Sequence, residues 1–172
     1  MPETVEKKRG VTWVTIGPRG GNYVNPSGNK LGYRIFRIQV NNDSIRPVDL
    51  DIHFSNDSTP LLPESNGFVK ALLIPHSIAP DKPDEYDFGI TGLNPFLDSA
   101  STKPTKLQTT VQPNTKFVFY VGVLLYQTDG VTRASMTTTR NNLVFTIHVS
   151  NSSTASAAIE CGEINQHPNS RE

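Results

Sequence analysis

Lys116-Phe117-Val118-Phe119-Tyr120-Val121-Gly122-Val123-Leu124-Leu125-Tyr126 has no polar face. Read at period two, one side carries Phe117, Phe119, Val121, Val123 and Leu125, and the other carries Val118, Tyr120, Leu124 and Tyr126. β-Branched and aromatic residues dominate, and turn residues bracket the run: Gln112-Pro113-Asn114 before it and Asp129-Gly130 after it. These features predict a strand over a buried helix. A strand without a polar face belongs in the middle of a sheet with cover on both sides.

Outward from it, residues 107–111 read as a strand expected to pair with the central one through Gln112-Pro113-Asn114-Thr115. On the other side, Asp129-Gly130 is a hairpin signal leading into the Thr-rich strand 131–139. Leu143, Phe145, Ile147 and Val149 then alternate with Val144, Thr146 and His148. The cleanest alternation sets Val48, Leu50, Ile52 and Phe54 against Asp49, Asp51 and His53, the pattern of a strand with one solvated face. Further strands are read at 33–40, with Phe36, Ile38 and Val40 on one face, and at 68–74, ended by Pro75. A short strand at 11–16 is expected to stop at Gly17-Pro18-Arg19-Gly20-Gly21. No Lys-Ser/Thr and no helix follow those glycines, so they read as a loop and not as a phosphate cradle.

Residues 76–106 read as a long irregular segment, with Pro80, Pro83, Pro95 and Pro104 and short strand character at 86–91. Phe96 and Leu97 are expected to pin it by burial. The count is seven to nine strands with no useful amphipathic helix and no strand–helix alternation. It predicts an all-β fold, an antiparallel β-sandwich of immunoglobulin-like or jelly-roll type. The domain reading is a flexible N-terminal arm at 1–10, one sandwich domain at 11–150 and a flexible C-terminal tail at 151–172.

Apolar residues make up 35% of the 172 and charged residues 19%, with formal net charge zero. A balanced chain offers no basic stripe for nucleic acid. The central run is about half the roughly 20 residues that a membrane-spanning helix needs, and the N-terminus has no secretory signal pattern. One cysteine, Cys161, excludes an intramolecular disulfide. With no His or Lys beside it, it reads as a small buried hydrophobe and not as a reactive thiol.

Two groups of residues invite chemistry. Asp49, Asp51 and His53 share a strand face about 6.5–7 Å apart, and His148 would complete a metal set only if its strand paired with theirs. Asp81, Asp84, Glu85 and Asp87 crowd one loop, as oxygen ligands for Ca²⁺ do, but without EF-hand spacing. We expect solvated carboxylates in both places, hence no metal and no cofactor. Neither a Gly-x-Ser-x-Gly elbow nor a His-Glu-x-x-His pair occurs.

A non-enzymatic structural or interaction module is the expectation, a subunit or decoration protein of a particle, filament or surface layer, whose partners are proteins or further copies of itself. The alternative is a carbohydrate- or other ligand-binding sandwich, with Trp13, Tyr23, Tyr33 and Tyr86 as candidate stacking rings.

Overall fold

The computed structural model describes residues 3–55, 59–60, 67–100, 105–126, 131–139, 141–149 and 155–168. In chain order the strands are β1 (Glu3–Lys8), β2 (Val11–Val24), β3 (Lys30–Asn42), β4 (Val48–Phe54), β5 (Thr59–Pro60), β6 (Phe68–Ile74), β7 (Thr105–Val111), β8 (Lys116–Tyr126), β9 (Val131–Thr138), β10 (Asn142–Val149) and β11 (Ala155–Pro168). One helix, α1 (Leu93–Ala100), and two 3-10 turns lie between β6 and β7. The strands form two antiparallel sheets, ordered β1-β2-β3-β8-β6-β5 and β7-β4-β11-β10-β9. The chain is an all-β sandwich.

The sandwich interior is built by period-two alternation. Phe36, Ile38 and Val40 of β3 meet Phe119, Val121, Val123 and Leu125 of β8 on one side. Val48, Leu50, Ile52 and Phe54 of β4 join Leu143, Phe145 and Ile147 of β10 on the other. The Phe36 and Phe145 rings touch edge to face across the sheets, centroids 6.0 Å apart. Each such buried side chain contributes about 1.5–3 kcal/mol of transfer free energy. A one-residue slip of β4 would turn Asp49 and Asp51 into this core, so its register is fixed.

The second face of β8 is covered too. Tyr120 and Leu124 join Leu31 and Ile35 of β3 and Leu72 and Ile74 of β6, and this layer is roofed by Ala79, Phe88, Leu93 and Leu97 from segment 76–100. Leu97 is buried, and Phe96 packs against the same cluster. The central strand therefore sits between two apolar layers, as its sequence demands.

Several expectations need correction. Residues 3–8 do not form a flexible arm: they pair along their length with β2. Residues 155–168 are not tail: β11 lies between β4 and β10 in the middle of its sheet. With the short β5, which the sequence also did not show, the described residues hold eleven strands. The glycine–proline cluster at 17–21 does not end its strand. β2 runs through it, with a register shift between Ile16 and Arg19 that absorbs the break. At Gly20 the strands approach so closely that a Cβ would lie 2.0 Å from Tyr33 O. Residues 86–89 form a 3-10 turn, not a strand.

The two hairpins expected around β8 do not form. β7 pairs with β4 and β9 pairs with β10, both in the other sheet, while β8 takes β3 and β6. At 112–115 the chain crosses between sheets because Asn42 anchors the turn. Asn114 N donates to Asn42 O at 2.8 Å, Asn42 N to Thr115 O at 3.0 Å, and Asn42 Nδ2 to Val111 O at 2.8 Å. The Asp129-Gly130 signal lies outside the described residues.

Candidate functional site

The four candidate stacking rings separate. Trp13 is fully buried between the sheets, its Nε1 donating to Gln166 Oε1 at 3.0 Å. Tyr23 is buried and donates to Asp98. Neither can offer a ring face to a ligand. Tyr33 is half-buried and Tyr86 is 74% exposed. Both hydroxyls lie near Gly21, with Tyr86 donating to Gly20 O at 2.9 Å. Two of the four are thus brought together, on a glycine-paved stretch of β2.

The carboxylates of the acidic loop turn to separate partners. Asp81 turns toward the sheet, where Arg37 grips it at 2.7 and 3.2 Å and Tyr120 donates to it. The Arg37 hydrogen bond holds the Asp81 carboxyl below its ordinary value and raises the guanidinium's. Asp87 Oδ2 accepts from Tyr33 at 3.0 Å. Glu85 lies 3.6 Å from Lys82. The carboxylates diverge, and among the described residues no group of three or more His, Cys, Asp or Glu side chains converges on a point.

These bonds form one pattern that single-strand reading missed. Tyr23 on β2, Tyr33 on β3 and Tyr120 on β8 each donate to a carboxylate of segment 76–100: Asp98, Asp87 and Asp81. Burial is the main cause that raises all three phenols, with the carboxylate bond second. Arg19 adds its guanidinium over the Phe88 ring, 4.2 Å from the centroid. The acidic loop therefore latches the roof to the six-stranded sheet.

The outer face of the five-stranded sheet is polar. Register places Thr110, Asp49 and His167 in one row, Gln108, Asp51 and Asn165 in the next, and Lys106, His53 and Glu163 in the third. Thr110 Oγ1 donates to Asp49 Oδ1 at 2.7 Å, and His167 Nε2 lies 3.9 Å from Asp49 Oδ2. His148 does not join this group, because β11 intervenes between β4 and β10. Cys161 is partly buried, its Sγ 3.5 Å from Leu143 O, and burial pushes the thiol up to about 12.

The sheet edges differ. β1 carries Glu3, Glu6, Lys7 and Lys8, a charged edge. β5 is two residues long. β9 is approached by β1, with Thr4 Oγ1 donating to Met136 O at 3.2 Å and Lys8 Nζ donating to Thr139 O. β7 is seven residues long, contains no proline and a single charge, Lys106, and pairs only with β4 among the described residues.

No family model, curated protein or solved structure matches this chain. No helix among the described residues is long and apolar enough to cross a membrane.

Proposed function

We propose that this chain is a non-enzymatic assembly module that joins a second copy of itself along β7. The observation that carries this reading is the contrast among the four edges: β1 is densely charged, β5 is two residues long and β9 is approached along its length by β1, while β7 is seven residues long with no proline and one charge, Lys106, and is met by β6 only at its first residue, where Leu73 N donates to Thr105 Oγ1 at 3.1 Å. Antiparallel pairing of β7 with its own image would continue the five-stranded sheet across a two-fold axis, as an isologous contact requires. Gln108 is the middle residue of β7 and would face its own copy. The carboxylates of the long segment support a structural role, since Asp81, Asp87 and Asp98 serve to hold the roof in place.

Light scattering during size-exclusion chromatography tests this across a concentration range. The expected result is a concentration-dependent dimer that Gln108→Lys weakens by about tenfold or more, since like charges directly opposite repel. Thr137→Lys, on β9 at the far end of the sheet, should leave it unchanged. A clean monomer at every concentration overturns self-assembly.

A second reading, glycan binding, is supported by the exposed Tyr86 ring beside Tyr33. A glycan-array signal lost in Tyr86→Ala would favour it. No signal for the parent protein would end it.

A further inference from the structure

The β1–β2 hairpin turns through Arg9 and Gly10, both at positive φ (49° and 79°), as a two-residue turn matched to strand twist requires. This turn lies beside the far end of β11. Gln166 spans the gap between the sheets, accepting from Trp13 Nε1 and donating to Lys8 O, each at 3.0 Å. Beside that bridge the sandwich end opens into a cleft of about 460 Å³. Lys7, Lys8 and Arg9 line it from the hairpin, and Asn141 and Asn165 from the other sheet. A smaller cavity of about 150 Å³ shares Arg9 and Gln166 and adds Arg46.

The charge here is lopsided. Over the whole chain 16 basic residues balance 16 acidic ones. Among the described residues, Lys7, Lys8 and Arg9 line the main cleft with one carboxylate, Glu6, Arg46 lines the smaller cavity, and the nearby His167 has Asp49 at 3.9 Å. Lys8 is drawn inward, its Nζ donating to Thr139 O and lying 4.8 Å from the Trp13 ring centroid. Burial pulls its amine down to about 8 although the Glu6 carboxylate pulls the other way, so a further anion would add to the relief that Glu6 gives a desolvated cation. Apart from Ile164, the main cleft is walled by polar side chains. That suits a polar ligand, and clustered Lys and Arg with amide donors suit one carrying several anionic oxygens.

We propose that this cleft binds a small phosphate-bearing molecule, the phosphate held by Lys7, Lys8 and Arg9 and a polar organic group lying toward Asn141 and Asn165. Its volume leaves room for more than bare phosphate. The main cleft shares no lining residue with β7, from which β4 separates β11.

Calorimetric titration of the full chain at fixed ionic strength tests it, with inorganic phosphate, ribose 5-phosphate and ribose as probes. Both phosphates should bind saturably, with ribose 5-phosphate tighter, and ribose alone should give no heat. Lys7→Gln/Arg9→Gln should weaken binding by about tenfold or more, and Glu6→Gln should strengthen it about fivefold by removing the opposing charge. A gain in Glu6→Gln is not something a misfolded variant would show. Absence of saturable binding up to about 10 mM, affinity unchanged in both variants, or ribose binding as well as its phosphate would overturn the proposal.

Discussion

Arg37 and Asp81 form a two-point ion pair on the outer face of the six-stranded sheet, Nε to Oδ1 at 2.7 Å and Nη2 to Oδ2 at 3.2 Å. The two ends differ in exposure: the arginine side chain is 7% exposed and the aspartate 38%. Removing the aspartate would strand a guanidinium that is nearly out of water. Asp81→Asn should therefore destabilise the fold by about 1–3 kcal/mol, below the cost for a fully buried pair because solvent screens the aspartate end. The effect carries a pH signature. Arg37 holds the Asp81 carboxyl below its unfolded value, so its contribution is present above about pH 4. It is lost as pH falls through the lower folded value. Urea unfolding of parent and Asp81→Asn from pH 2 to 7 should show curves that differ by a constant amount near neutrality and converge in acid. Curves that stay parallel into acid would show that the pair contributes nothing.

The three phenols make the opposite prediction in base. Tyr33 is pushed up to about 12, and Tyr23 and Tyr120 are raised as well. Each folded-state value lies above the unfolded value of about 10. Their stabilisation is complete below about pH 10 and is lost as pH rises through the folded values. Tyrosinate absorbance should therefore show Tyr23, Tyr33 and Tyr120 ionising late, together with loss of the fold. Tyr120→Phe should cost about 1.5–3 kcal/mol, the range for a hydrogen bond to a charged group. In that variant, amide exchange should accelerate across 76–100 before it does in β3 and β8. Uniform acceleration over all three would show that the roof does not open separately.

What could be read from sequence depended on whether the deciding contacts were local. β4, β8 and β10 were legible because period two alone separates buried from exposed positions, and for β8 the absence of a polar face already required a cover. β1 was not: its one large apolar residue, Val5, is 59% exposed, so no hydrophobic alternation exists to find. In β11 the register shifts between Leu143 and Val144 of its partner, so burial falls on Ile159, then on Gly162 and Ile164, and the period breaks in the middle. The strand of the candidate edge was legible, but its sheet was not, because Asn42 redirects the chain at a turn some seventy residues later in sequence. The tyrosine–carboxylate latch joins residues 39 to 75 apart. No spacing rule reaches that far.

Gly162 shows why that shifted register holds. An added Cβ would lie 2.5 Å from Phe54 Cε1, and Phe54 is fully buried with no room to swing away. Gly162→Ala should destabilise by about 1–3 kcal/mol through overpacking. The second variant, Gly162→Ala with Phe54→Leu, should recover part of that loss, since the smaller side chain vacates the contact. Chemical denaturation of parent, both single variants and the double variant completes the cycle. Strict additivity would show that the two sites do not press on each other.

Cys161 offers a test of how tightly β11 is held. Only a thiolate attacks a disulfide reagent, and burial pushes this thiol up to about 12. At pH 8 the thiolate is then far scarcer in the folded state than for an ordinary cysteine. Reaction with an aromatic disulfide at pH 8 should be slower than for an unfolded control by about a thousandfold, and the rate should follow opening of the β10–β11 pairing. Variants that weaken the interior, Gly162→Ala among them, should speed labelling in proportion to their loss of stability if opening is global. If labelling accelerates while denaturation midpoints stay fixed, β11 opens locally, and its place in the middle of the sheet is held by its neighbours less firmly than its pairing implies. Rapid labelling of the folded parent would contradict the buried thiol outright.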